Sequence, residues 1–362
     1  MKKFSAWLLL LVILLFLSYL VIFNSKEQTL SPISQNQPSV TLGSTITSTT
    51  SPKITSLFVP YWALSNQKIQ SNSDELIYFG ITPTANGIDT DEIGYKTIPL
   101  FIQDADASQK KLLVVRMINS DQNLSILSSQ VAENGVITQS DQIAKKYNFD
   151  GVVLDFEISA ISFNSLVTQI NSFVSKFTTD AKQNNLQFGI ALYGDTFYRA
   201  RPFDVKTIGG KVDRIYVMTY DFSKADGANP GPNFPFSDKQ LYGYDFQTMI
   251  NDYIASVPKQ KLSIIYGLFG YDWSVDKNNI SNSQAKSLTL KQIQNTYATS
   301  CSEKNCKIKQ DPISKETEIT YTDSSGINHI IWFEDQKSAS QKQQFANDNG
   351  INGSGYWAYS YY

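Results

Sequence analysis

Eight short runs rich in β-branched and aromatic residues recur between residues 54 and 362: ITSLFVPY, ELIYFGI, KLLVVRMI, GVVLDFE, LQFGIALY, RIYVMTY, KLSIIYGLFG and GSGYWAYS. Several are apolar at consecutive positions, so both faces of the strand need cover, as in a parallel sheet buried between layers. The intervals between runs are long enough for crossover helices. The clearest runs from Phe163 to about Gln183, where Leu166, Ile170, Phe173, Val174 and Phe177 fall at helical spacing. Eight strand-helix units predict an α/β fold, a closed (β/α)8 barrel. An open doubly wound sheet is the alternative, but no glycine-rich phosphate loop follows the first run. Over residues 279–333 the pattern turns polar, with ETEITYT, a turn at Asp323, Ser324, Ser325 and Gly326, and then NHIIWFE. That stretch predicts a small α+β insertion, carrying a β-hairpin, ahead of the last strand.

Two segments precede the barrel. Residues 7–23, WLLLLVILLFLSYLVIF, nearly span a hydrocarbon core at ~1.5 Å per residue, and Lys2 and Lys3 come before them. Positive charge on the short side keeps that end in the cytoplasm, so residues 1–24 are expected to be a single-pass transmembrane anchor with the rest exported. A cleaved signal peptide is the competing expectation, but LSYLVIFNS offers no A-x-A site. Residues 25–53 are mostly Ser, Thr, Gln, Asn and Pro, a composition that reads as a disordered linker. The catalytic barrel would then occupy residues 54–362.

Composition removes several function classes. With 31 basic and 33 acidic residues the net charge is −2, and no basic stripe suggests a nucleic-acid partner. The single histidine, His329, alternates with apolar residues in the hairpin and is expected to be structural, which leaves histidine-based zinc sites and Ser-His-Asp catalysis without material. No cofactor and no metal are expected. Cys301 and Cys306 are close enough for a local disulfide in an exported domain, with free surface thiols as the alternative. Carboxylates must carry the acid-base chemistry.

The segment FDGVVLDFE supplies them. Asp155 and Glu157 are two residues apart at the end of the fourth run. On a strand this spacing puts both side chains on one face with Cα atoms ~6.5–7 Å apart, at the C-terminal end where barrel enzymes keep their reacting groups. Two carboxylates buried there only for structure would be costly.

This segment resembles the DGxDxDxE signature of glycoside hydrolase family 18, the chitinase family, matched by Asp150, Gly151, Asp155 and Glu157. VMTYD, residues 217–221, is similar to that family's sixth-strand motif, and GYWAYS places Trp357 where the family has a tryptophan on its eighth strand. YGLFGYDW and IWFED are similar to segments of bacterial members acting on peptidoglycan or spore cortex. The resemblance implies a monomeric glycosidase acting on an N-acetylglucosamine-containing polysaccharide, chitin or peptidoglycan, by substrate-assisted retaining catalysis. It gives Glu157 the role of general acid. Asp155 would orient the sugar's 2-acetamido group, and Tyr220 would hydrogen-bond its carbonyl oxygen. Trp357 would floor the reacting sugar, Asp221 would support the acid pair or touch substrate, and Met218 and Tyr61 would line the wall. Val153 departs from the pattern, standing where the family has its middle Asp, and it keeps open a second possibility, a sugar-binding barrel without turnover.

Overall fold

The computed structural model describes residues 53–362 apart from 159, 161, 299, 300, 302 and 303. The expected anchor at residues 1–24 and all but the last residue of the expected linker lie outside the described residues. Among the described residues no helix is long and apolar enough to cross a membrane.

Eight parallel strands close into a barrel: β1 (Ile54–Pro60), β2 (Glu75–Ile81), β3 (Lys110–Met117), β4 (Gly151–Phe156), β5 (Gln187–Tyr193), β6 (Arg214–Thr219), β7 (Leu262–Gly267) and, last in the chain, β13 (Gly353–Trp357). They follow one another around the barrel in chain order, and β13 closes it against β1. Six of the seven connections carry α-helices; the first has only a single 3-10 turn, Tyr61–Ala63. Helix α1 (Asn164–Gln183) buries Leu166, Ile170, Phe173, Val174 and Phe177 against the barrel, the face its periodicity predicts. Truncating one of its buried phenylalanines to Ala would cost ~3–5 kcal/mol.

Side chains alternate between the helix layer and the barrel interior, and the interior fills in layers. The lowest layer is polar. Glu75 accepts hydrogen bonds from the Ser56 hydroxyl at 2.8 Å and the Tyr216 hydroxyl at 3.2 Å, and Arg214 donates to Ser263 Oγ at 3.0 Å. Above it Phe58, Ile77, Leu112, Val114, Val153 and Ile265 form an apolar plug. Val153 is therefore a core residue beneath Asp155, its side chain fully buried.

The run KLSIIYGLFG does not form one strand. It breaks after Gly267, where the Leu268 N–H donates to the Trp357 carbonyl at 2.9 Å, and Phe269 starts a second sheet. The insertion thus begins at residue 269, ten residues ahead of the expected boundary at 279. Its antiparallel sheet joins β8 (Phe269–Val275), β9 (Lys286–Thr289), β10 (Lys304–Gln310), β11 (Thr317–Thr322) and β12 (Asn328–Phe333) in the order β9-β8-β12-β11-β10. The expected hairpin is β11 and β12, turned by Asp323, whose Oδ1 accepts the Ser325 and Ile327 N–H groups at 2.9 and 2.8 Å. His329 packs inside this sheet, with Nδ1 2.9 Å from Asp272 Oδ1 and its ring stacked on Tyr321. Cys301 and Cys306 are joined as a disulfide, their Cα atoms 6.0 Å apart. Helix α2 (Gln336–Asp348) returns the chain to the barrel, and its buried Lys342 lies 2.7 Å from both Glu316 and Glu334.

Candidate active site

Interior positions at the C-terminal ends of the strands converge on one cleft. Asp155 is the last inward residue of β4 and is 4% exposed. Glu157 follows the strand's final residue. Its N–H donates to the Met117 carbonyl at 2.8 Å, and its carbonyl accepts from Asn123 Nδ2 at 2.6 Å. Asn123, itself buried, also donates to the Met117 carbonyl at 2.7 Å, so one amide ties the ends of β3 and β4 together and fixes the backbone that carries Glu157.

The Tyr193 hydroxyl, at the end of β5, donates to Glu157 Oε2. The Arg201 guanidinium lies 3.6 Å from the centre of the Tyr193 ring and is anchored to Asp195 Oδ1 through Nε at 2.8 Å. Tyr220 and Asp221 follow β6. Asp221 has left-handed backbone with φ of 59°, held there because its N–H donates to Asn233 Oδ1 at 2.9 Å. Its Oδ1 accepts from the Tyr271 hydroxyl at 2.6 Å. Gly267 lets Tyr220 seat closely: a Cβ at that position would lie 2.8 Å from the Tyr220 Cβ and 2.5 Å from the Phe269 ring.

Trp357 ends β13. Its ring centre is 4.7 Å from that of Phe79 and 6.4 Å from that of Tyr220, and the half-exposed Trp62 stands 6.3 Å away at the rim. These groups bound a cavity of about 200 Å³, whose lining includes Asp155, Glu157, Met218, Tyr220, Asp221 and Trp357. Phe269, Tyr271 and Ser287 of the insertion close one side of it. A second cavity of about 310 Å³ shares Glu157, Asp221 and Tyr271 and adds Tyr193, Lys224 and Gln284, so Glu157 stands between two spaces.

The electrostatics suit an acid. Burial pushes the Glu157 carboxyl above its ordinary range; the Tyr193 hydrogen bond opposes this and the neighbouring Asp221 adds to it. Asp155 is raised too, by burial first and then by Glu157, with Arg116 opposing. Burial raises Asp221 against the Tyr271 hydrogen bond, and raises the Tyr220 phenol together with the charge of Asp155. Interacting carboxyls of this kind titrate as a set. Among the described residues no group of three or more His, Cys, Asp or Glu side chains is placed to hold a metal ion.

Six of the seven residues singled out in the sequence meet around one cavity. Tyr61 does not line it; its ring instead carries the Arg116 guanidinium at 5.0 Å and packs edge-on against Trp62. Sequence reasoning missed Tyr193, Arg116 and the insertion's Tyr271. The first two are the last inward residues of β5 and β3, so the alternation that singles out Asp155 would have found them if applied to every run. Tyr271 lies in the YGLFGYDW segment already noted for its resemblance, but its contact with Asp221 arises only through tertiary folding.

The chain was compared with known proteins. Relatives include the cortical fragment-lytic enzyme of Bacillus anthracis, 26% identical over 253 residues, which are 66% of this chain and 53% of that one. Another is the di-N-acetylchitobiase of Homo sapiens, 22% identical over 242 residues, covering 61% and 60% of the two chains. The chain spans about half the length of the sporulation-specific glycosylase and cortical fragment-lytic enzymes of Bacillus that it matches. Among solved structures, the spore cortex-lytic enzyme SleL of Bacillus cereus superposes with a TM-score of 0.65 at 20% identity, over 86% of this chain and 71% of that one. The class V chitinase of Nicotiana tobaccum gives 0.72 at 17% identity, over 85% and 94%. These likenesses show the shared barrel fold. The model of glycosyl hydrolases family 18 matches residues 29–361, and with nearly the whole barrel inside that match, the chain belongs to this family.

Proposed function

We propose that the protein is a retaining glycosidase that hydrolyses β-1,4 linkages following N-acetylglucosamine, using the substrate's own acetamido group as nucleophile. One observation carries this: Asp155 and Glu157 face a single aromatic-floored cavity from the end of β4, where burial pushes the Glu157 carboxyl above its ordinary range. With the sugar ring on Trp357, Glu157 gives its proton to the glycosidic oxygen as the bond from that oxygen to C1 breaks. The acetamido carbonyl oxygen takes over C1, forming an oxazolinium ring. Asp155 faces the nitrogen, where positive charge develops, and Tyr220 donates to the acetamido oxygen while it is free. A water then gives a proton to the Glu157 carboxylate and adds to C1, reopening the ring with the original configuration. The cavity beyond Glu157, lined by Tyr193, Lys224 and Gln284, takes the leaving sugar.

Likeness to cortical fragment-lytic enzymes favours peptidoglycan over chitin as the polymer. Residues 7–23 would tether the barrel outside the cytoplasmic membrane; a mature N-terminus beyond Phe23, found by mass spectrometry, would remove the tether. The reaction is tested by incubating the full-length protein with peptidoglycan, chitin and an aryl chito-oligosaccharide. New N-acetylglucosamine reducing ends are expected, absent in Glu157→Gln. Undiminished turnover in Glu157→Gln overturns the assignment, and a wild type that binds these sugars without cleaving any points to the sugar-binding alternative.

A further inference from the structure

Arg116 is the last inward residue of β3 and stands in register with Asp155 on β4. Neighbouring strands lie ~4.8 Å apart, so these two side chains leave adjacent inward positions of the barrel. Arg116 is 8% exposed. Its Nη2 donates to Glu92 Oε1 and to Thr82 Oγ1, each at 2.6 Å, and its guanidinium lies 5.0 Å from the Tyr61 ring centre and 5.5 Å from that of Phe79. Those contacts fix where the cation sits. They do not use all of it: among the described residues Arg116 Nε is buried with no acceptor, and Asp155 Oδ1, on its register partner, is buried with no donor. Orphaned atoms on buried charged groups cost free energy, so two of them on adjacent interior positions need a reason beyond packing.

We propose that Arg116 is the positioning residue for Asp155, a fixed cation beside the carboxylate that favours its ionised form and leaves it free to turn toward the sugar's acetamido nitrogen. This rests on the substrate-assisted reaction proposed above, in which Asp155 works as an anion. The other groups facing Asp155 cannot take this part. Glu157 at the end of its own strand and Asp221 after β6 are acidic, and Tyr193 from β5 and Tyr220 after β6 are neutral phenols. Ala191 in register on β5, and Phe58, Phe79 and Trp357 from β1, β2 and β13, are uncharged. Directly below lies Val153, which can neither share a proton nor donate one. Among the described residues Arg116 is the one cation acting on Asp155, whereas Arg201 and Lys224 act on Glu157.

Opposite substitutions on the Arg116–Glu92 pair then move the acid limb of the pH-rate profile in opposite directions. Arg116→Met should shift it to higher pH by at least about one unit, because Asp155 then keeps its proton longer. Glu92→Gln, which leaves the guanidinium without its counter-charge, should shift it the other way, and Arg116→Lys should hold the limb near its wild-type position while kcat falls. The double variant Arg116→Met/Glu92→Gln leaves no unpaired Glu92 and serves if the single variant fails to fold; its limb should move as in Arg116→Met. The experiment measures kcat/KM against pH for the full-length wild type and these variants on an aryl chito-oligosaccharide, together with carboxyl ¹³C NMR titration of aspartate-labelled protein, the Asp155 signal being assigned by its loss in Asp155→Asn. An Asp155 titration unchanged in the folded double variant overturns the proposal. If the wild type cleaves no glycan, the glycosidase reading fails by itself, and the NMR titration still decides whether Arg116 governs Asp155.

Discussion

Glu316 and Glu334 beneath the insertion and Asp155 and Glu157 at the barrel mouth are acidic side chains withdrawn from water, yet the protein compensates them differently. Under the insertion an ammonium comes to them: Lys342 Nζ sits 2.7 Å from a carboxylate oxygen of each, and Glu316 also accepts the Asn233 and Phe234 N–H groups at 2.6 and 2.7 Å. At the mouth, among the described residues, no ion pair reaches either carboxylate, and the donor on Glu157 is a phenol. A lysine in contact makes a carboxylate part of the joint between two sheets. Withholding that contact leaves a carboxyl free to hold and release a proton, and that reserve is what chemistry needs.

Four measurements can break or sharpen this contrast. Glu157→Gln should lower turnover by ~10²–10⁴-fold, since the amide cannot donate the proton, while thermal unfolding stays at or above wild type because a desolvated buried acid is gone. A matching loss of stability would mean that Glu157 is structural after all. Lys342→Met reverses the pattern: it leaves two buried carboxylates without their cation and should cost ~3–5 kcal/mol in denaturant unfolding, with the folded remainder keeping its turnover. A Lys342→Met protein of wild-type stability would collapse the distinction. Tyr193→Phe removes a hydrogen bond that favours the ionised form of Glu157, so the Glu157 pKa rises. The alkaline limb of kcat/KM, where the general acid loses its proton, should therefore move up by about one pH unit. Movement downward would show that the phenol supports the protonated form instead. Smallest is reduction of the Cys301–Cys306 bond, which closes too short a loop to restrain the unfolded chain much; ~2 kcal/mol at most and no change in rate are expected from melting and activity assays with and without reductant.

What the sequence disclosed follows from which interactions are local. Strand β4 announces itself because a parallel barrel strand must be apolar on both faces, so Asp155 and Glu157 at its end stand out against GVVL. Helix α1 is equally plain, since one face of one element decides it. The break after Gly267 was not plain: LSIIYGLFGYDW is continuously strand-like, and it stops being one strand only because Leu268 bonds to Trp357, a residue far along the chain. Asn233 was invisible for the same reason. Its side chain serves Asp221, Gly267 and Phe269 at once, with distances of 2.9, 3.2 and 3.3 Å, in a stretch whose sequence reads as ordinary loop.

The break after Gly267 also divides the walls of the cleft between two parts of the chain. Everything proposed to touch the breaking bond hangs on the barrel, while Phe269, Tyr271 and Ser287, which close one flank of the cavity, belong to an appended sheet that enters at a single hinge residue and leaves through α2. A change in that sheet alters the flank of the cleft, and Asp221 through its Tyr271 hydrogen bond, while the register of Asp155 and Glu157 is set by β4 alone.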